Sequence, residues 1–148
     1  MAQSNHAVPR SAELTMPNPP SLESTYLRLR NDATVETLSV DKSFWEKISS
    51  GKLGSFHHEY LVTAYRFDAD WKSWEMHPNG DEIVCLLSGE VRFVLETLAG
   101  EQSTRLDQSG QFAFVPKGTW HTAKVDAPCH MLFITAGEGT QHKDVQSE

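Results

Sequence analysis

The residues best equipped for chemistry sit in Trp74 to Gly89, WEMHPNGDEIVCLLSG. In an extended segment alternate side chains share a face, so Glu75 and His77 point the same way and Trp74 and Met76 the other. One carboxylate and one imidazole therefore lie side by side. The next four residues, Pro78-Asn79-Gly80-Asp81, are turn formers: proline presets its own φ, and asparagine and glycine tolerate positive φ. The chain is expected to reverse here. Glu82 opens the return, followed by the aliphatic run Ile83 to Leu87 and a turn at Ser88-Gly89. A central hairpin, Trp71–His77 against Glu82–Leu87, would carry Glu82 back beside His77. Three metal-competent side chains would then converge, lacking one further donor for a site.

The rest of the chain has to hold that hairpin in place. Residues 1–21, with Pro9, Pro17, Pro19 and Pro20 among Ser, Asn and Gln, read as a disordered tail. Tyr26 to Arg30 reads as a short edge strand. Asp41 to Ser50 reads as a short N-terminal helix, with Asp41 as its N-cap, Val40 stapled against Trp45, an apolar stripe of Phe44, Trp45 and Ile48, and Gly51 at the stop. Its expected role is to cover an open end or face of a sheet. From Phe56 to Ala136 everything reads as strands: Glu59–Phe67, the hairpin, Val91–Leu98, Thr104–Leu106, Phe112–Val115, Thr119–Val125 and His130–Thr135. Short, closely spaced strands punctuated by Gly, Pro, Asp and Ser predict an all-β fold, an antiparallel sandwich or barrel, in one domain over 22–136. Residues 137–148 are polar and expected to fray.

Composition narrows the partners. A net charge of -7 over 148 residues, with no basic run, argues against nucleic acid or an anionic membrane. The longest apolar run, Ile83 to Leu87, is too short to span a bilayer, and the N-terminus lacks a signal-peptide core. Cys85 and Cys129 follow no pairing pattern, so free thiols and a cytoplasmic location are expected. A small molecule or another protein remains as partner. No Ser-His-Asp set, P-loop or GxGxxG after a strand is present to support a hydrolase, NTPase or dinucleotide-binding reading.

A second stretch, Gly110 to His121, GQFAFVPKGTWH, holds a strand, a Pro116-Lys117-Gly118 turn and a histidine opening the next strand. Together the two stretches resemble the motifs of the cupin superfamily, G-x5-H-x-H-x(3,4)-E-x6-G and G-x5-P-x-G-x2-H-x3-N. His77, Glu82 and Gly89 match the end of the first, and Gly110, Pro116, Gly118 and His121 match the second. Three positions depart: Glu75 stands for the first histidine, Ala69 for the leading glycine and Val125 for the closing asparagine. The resemblance implies a small jelly-roll barrel that gathers Glu75, His77, Glu82 and His121 around one interior point. That would be a set of two histidines and two carboxylates.

Two carboxylates cancel the charge of a divalent ion, and mixed imidazole and oxygen donors suit Fe, Mn, Ni, Zn or Co. Without Glu75 as a ligand, His77, Glu82 and His121 form a two-histidine, one-carboxylate triad with open positions, leaving Glu75 as a general base. A metal-free hydrogen-bonded cluster is the competing reading, against which stands the cost of leaving such groups unpaired in an interior. Two functions fit. One is a metal-dependent enzyme acting on a small organic molecule by dioxygenation, isomerisation or decarboxylation. The other is a binding or sensor barrel without turnover. Asp81 and Glu59 read as solvated, His57 and His58 as facing opposite ways, and His130 as a core or rim residue. Trp74 and Trp120, flanking the candidate ligands, read as facing a sheet partner or the second subunit of a homodimer.

Overall fold

The computed structural model describes residues 18–146, so most of the expected N-terminal tail lies outside the described residues. Nine strands and one α-helix are present among them. In order they are β1 (Thr25–Leu29), β2 (Val35–Ser39), α1 (Phe44–Ser49), β3 (Tyr60–Phe67), β4 (Ser73–Met76), β5 (Glu82–Thr97), β6 (Gly100–Leu106), β7 (Phe112–Val115), β8 (His121–Thr135) and β9 (Gln141–Asp144). Every pairing is antiparallel.

The two longest strands organise the rest. β5 and β8 run against each other along their whole lengths, with Glu82 opposite Thr135 at one end and Leu95 opposite His121 at the other. One half of this ribbon belongs to the sheet β2-β1-β3-β8-β5-β7, the other to β9-β4-β8-β5-β6. Folded along its middle, the ribbon closes the two sheets over a common core as an antiparallel barrel of jelly-roll type. Val84, Leu86, Phe93, Ala123 and Met131 are fully buried between them. A second cluster, Tyr26, Leu38, Phe44, Phe56 and Leu61, lies under α1.

The fold of the ribbon has a local cause. The β5–β8 register is irregular between Leu86 and Arg92, and Gly89 sits there at φ +86°. A Cβ on Gly89 would fall 2.0 Å from the Pro128 carbonyl oxygen. Gly89→Ala is therefore expected to destabilise the domain by about 3 kcal/mol, from backbone strain and overpacking together, read as a lower urea midpoint at unchanged slope. A loss under about 0.5 kcal/mol would mean that the bend does not depend on this residue.

Several expectations need correction. β4 and β5 do not form a hairpin: β4 pairs with β8 and β9, β5 with β6, β7 and β8. The Pro78–Asp81 turn passes the chain from one sheet to the other. Ser88-Gly89 bends a continuous strand instead of ending it, and the segments expected at 119–125 and 130–135 are one strand, because a bulged strand keeps its ladder through the irregularity. β1 is internal, flanked by β2 and β3. β2, VETLS, escaped notice because only Leu38 on it is buried. The expected short N-terminal helix follows β1 and β2. It spans only Phe44–Ser49, its N-cap is Ser43 without a side-chain cap, and Asp41 Oδ1 accepts from the Ser43 amide and hydroxyl instead. Within the stretch expected to fray, Gln141–Asp144 pair with β4 as β9.

Candidate metal centre

Four elements meet at one end of the barrel. Glu75 lies in β4 directly opposite His121, the first residue of β8. His77 follows β4, and Glu82 is the first residue of β5. The two motif turns are docked on each other: the Gly118 amide donates to the His77 carbonyl at 2.9 Å, and the Lys117 amide to Asp81 Oδ1 at 2.7 Å. Asp81, expected in solvent, is half-buried in this role. A third segment is pinned beside them, since Asn79 Nδ2 donates to the Glu138 carbonyl at 2.8 Å. Gly80 packs so tightly on it that a Cβ there would meet the Ala136 Cβ at 2.3 Å.

This arrangement sets the state of both imidazoles. The Thr140 hydroxyl gives its hydrogen to the Gly137 carbonyl at 2.8 Å, so its oxygen accepts from His77 Nδ1 at 2.7 Å. His121 Nδ1 lies 3.1 Å from the Thr119 carbonyl oxygen, which can only accept. Both rings therefore carry hydrogen on Nδ1, and both Nε2 atoms turn inward. His77 Nε2 is 3.3 Å from Glu82 Oε2, and His121 Nε2 is 3.1 Å from Glu82 Oε1. His77, Glu82 and His121 are 5%, 2% and 0% exposed. The two Nε2 atoms and Glu82 Oε1 have no aligned hydrogen-bond partner, while Glu82 Oε2 accepts from Thr135 Oγ1 at 2.6 Å. Donors about 2.1 Å from a shared ion stand about 3.0 to 3.4 Å apart at cis or tetrahedral angles, the range of these separations.

Glu75 differs from the other three. Its side chain is 28% exposed, with Oε1 3.8 Å from His121 Nε2 and Oε2 3.0 Å from His142 Nε2. Glu75, His77 and His121 each offer a donor atom within 4.8 Å of the others. His142 was missed by sequence reasoning, and nothing in its polar surroundings could have found it. Only the pairing of β9 with β4, Glu75 opposite His142, brings it here.

Electrostatics tie the buried trio together. Burial pushes the Glu82 carboxyl up, but the His121 and His77 rings outweigh it and hold Glu82 at about 2. Burial alone would lower His121, and the Glu82 carboxylate raises it instead. The sign for metal-free protein follows. The Glu82 contribution is complete above its ordinary value of 4.5 and lost as pH falls toward about 2. The His121 contribution is complete below 6.5 and lost as pH rises through its elevated folded value. Metal-free protein should thus gain most from this pair between 4.5 and 6.5. Urea midpoints measured against pH check it: Glu82→Gln should flatten both limbs, and parallel profiles for variant and parent would overturn the coupling.

Other candidates stay apart. Glu59, expected in solvent, is buried and paired with Arg28, with its Oε1 accepting from Arg28 Nε at 2.7 Å. His57 and His58 lie in the turn before β3, where His58 has φ +56°, so their rings meet at 4.0 Å instead of facing apart. Both are exposed, and His57 Nδ1 lies 3.1 Å from Glu138 Oε1. His130 is half-buried on β8. Cys85 and Cys129 are free thiols, Cys85 on the outward register of β5, and burial pushes the Cys129 thiol up. Trp74 and Trp120 do turn away from the centre, but toward Lys143 of β9, whose Nζ lies 5.7 and 4.5 Å from their rings.

The centre opens onto a cavity of about 1140 Å³, whose lining includes Glu75, His77, Glu82 and His142. Among the described residues no helix is long and apolar enough to cross a membrane.

No family model matches the chain, and no curated protein matches it. Solved structures do overlap with part of it. A cupin-2 domain protein from Shewanella frigidimarina NCIMB 400 is 20% identical over 51% of this chain and 69% of its own, with a TM-score of 0.44. Hydroquinone 1,2-dioxygenase from Sphingomonas sp. TTNP3, with 4-hydroxybenzoate bound, gives 20% over 51% and 59%, TM-score 0.44. An oxalate oxidase gives 15% over 55% and 44%, TM-score 0.46. The chain spans less than two-thirds of the dioxygenase and of the oxidase.

Proposed function

We propose that this cupin-type jelly-roll barrel binds a divalent transition-metal ion through His77, Glu82 and His121 and is an enzyme acting on a small, oxygen-bearing organic molecule in the adjoining cavity. The observation that carries the reading is the pair of inward Nε2 atoms on one buried carboxylate, His121 Nε2 at Glu82 Oε1 and His77 Nε2 at Glu82 Oε2, with both Nε2 atoms and Oε1 lacking an aligned partner. A cation held between the two rings and the carboxylate would satisfy all of these atoms directly. The donor set suits Fe, Mn, Ni, Co or Zn. A bound ion would supply Lewis acidity toward a substrate oxygen, as dioxygenation, isomerisation or decarboxylation needs.

The chain's own residues do the rest. Thr140 and the Thr119 carbonyl hold the rings in register. Glu75, already engaged by His142 and open to the cavity, is assigned as the general base that takes a substrate proton, with direct ligation its alternative role. Glu75→His separates the two: a base leaves metal content unchanged and lowers turnover, a ligand alters metal preference. Elemental analysis of protein purified without a metal-affinity tag tests the centre itself. Less than about 0.2 equivalents of every transition metal would sink it. Stoichiometric metal with binding but no turnover of small organic acids would leave a ligand-carrying or sensing barrel.

The same reading includes a homodimer, on a different surface from the one expected. Trp74 is buried, whereas Ile83, Phe112 and Phe114 are exposed on the outer face of β5 and β7. Ile83 pairs with Phe114, forming an apolar rung beside β7, which has no second strand partner among the described residues. A second copy related by twofold symmetry would cover both edge and rung. Phe114→Asp is expected to shift sedimentation from dimer to monomer with the urea midpoint of the monomer unchanged. A monomeric parent protein at tens of micromolar would remove the proposal.

A further inference from the structure

The cavity above the centre is lined on one side by rings. Trp45, Phe56, Tyr65, Phe67, Trp71 and Phe133 all face it. They form a connected wall: Trp45 stacks on Tyr65 at 6.4 Å and 26°, Tyr65 meets Phe133 at 6.0 Å, and Phe133 meets Trp71 at 6.1 Å and 36°. Trp71 in turn lies 6.3 Å from the His121 ring. The wall therefore runs continuously from the helix at the mouth to the candidate ligands. The same lining includes the polar side chains of Glu75, Thr140 and His142.

The wall has two faces: Phe133 belongs to the buried core and Tyr65, Phe67 and Trp71 pack against it, while the same rings line the cavity. The core beneath is filled by Val84, Leu86, Phe93 and Met131, which are fully buried. Trp45 is 51% exposed: its ring meets Phe44 at 5.2 Å and Tyr26 at 6.2 Å, and it lies against Tyr65 where both line the cavity. Flat apolar surface on one side and oxygen and imidazole donors at the end define a ligand with two unlike parts. We infer that the cavity takes an aromatic ligand bearing an oxygen-donor head, such as a phenol or an aromatic acid, with its ring on the Trp45–Tyr65–Phe133–Trp71 wall and its head toward His77, Glu82 and His121. This rests on the metal reading for the head and on the wall alone for the ring. The cavity, at about 1140 Å³, exceeds the volume of a single substituted ring, so side substituents are accommodated.

Three hydroxamates separate the parts, because they share one chelating head: acetohydroxamate, benzohydroxamate and cyclohexanecarbohydroxamate. With Co(II)-loaded protein followed by its visible spectrum, benzohydroxamate is expected to bind about 30-fold more tightly than acetohydroxamate, from burial of the ring. It should also bind several-fold more tightly than the cyclohexyl compound, which cannot stack. Trp71 is the wall ring beside the ligands, 6.3 Å from His121, so Trp71→Leu is expected to remove most of the benzo-over-cyclohexyl preference in protein whose Co(II) uptake matches the parent's. Equal affinities for all three, a cyclohexyl compound that binds as well as the benzo compound, or a benzo-to-cyclohexyl ratio unmoved by Trp71→Leu would each overturn the aromatic assignment. Protein that takes up no Co(II) fails the metal reading instead. The ring site is then read from quenching of tryptophan fluorescence by 1-naphthol in metal-free protein, where saturable quenching weakened by Trp71→Leu supports it and its absence overturns it.

Discussion

His121→Ala is expected to weaken metal uptake by more than about 100-fold, the largest single effect on function available in this chain. His121 is fully buried, its Nδ1 faces the Thr119 carbonyl, and its Nε2 faces both Glu82 and Glu75. Alanine removes a donor and also leaves Glu82 facing a single imidazole. Thr140→Val, which leaves every donor in place but withdraws the acceptor that orients His77, should cost less, about 10- to 100-fold. Co(II) titration of the two variants against the parent measures both. Uptake by His121→Ala equal to that of the parent would mean that any bound ion sits elsewhere.

The largest expected effect on stability lies outside the site. Glu59→Ala should cost about 3 to 5 kcal/mol, since it strands the Arg28 guanidinium in the interior. Arg28 and Glu59 are 7% and 5% exposed, joined at 2.6 Å, and the guanidinium rests 4.0 Å from the Phe56 ring. Burial pushes the Glu59 carboxyl up and Arg28 more than reverses it, so the pair is charged. Its position explains the size. Arg28 in β1 reaches across to the loop before β3 and also donates to the Leu53 carbonyl, holding Phe56 and the segment after α1 against the sheet. Urea denaturation of Glu59→Ala beside Arg28→Met checks it, and a loss below about 1 kcal/mol in Glu59→Ala would show that solvent reaches the pair.

The outcome for the hairpin shows where a linear reading loses its hold. Turn chemistry at Pro78–Asp81 was legible, and so was the side of the chain on which Glu75 and His77 lie, because both are properties of adjacent residues. Which strand lies beside β4 was not. The hydrogen-bonded neighbours of β4 are far from it in sequence, as Glu75 with His121 and His142 illustrate, and period-two patterning is blind to partner choice. Ser88-Gly89 reads as a turn for the same reason. A positive-φ glycine serves a reversal and a bulge equally well, and only the Pro128 carbonyl above it tells them apart.

Glu59 carries a related lesson. Beside two histidines in a polar stretch it looks solvated, and its partner lies 31 residues away on β1. β9 escaped entirely, since Gln141–Asp144 is exposed throughout and has no apolar face to betray a strand. With it went His142, and with His142 the second contact of Glu75.

What the sequence determined by itself was the all-β class, the antiparallel barrel and the identity of the four side chains at its end, because alternation, turn residues and motif spacing are encoded locally. The tertiary structure alone decided which strands pair, that both imidazoles expose Nε2, that Glu75 leans toward His142, and that a wall of rings adjoins the centre. Apart from the Thr119 carbonyl that orients His121, those features depend on groups far apart in the chain, such as His77 with Thr140 and Glu75 with His142, and no short window of residues contains both partners.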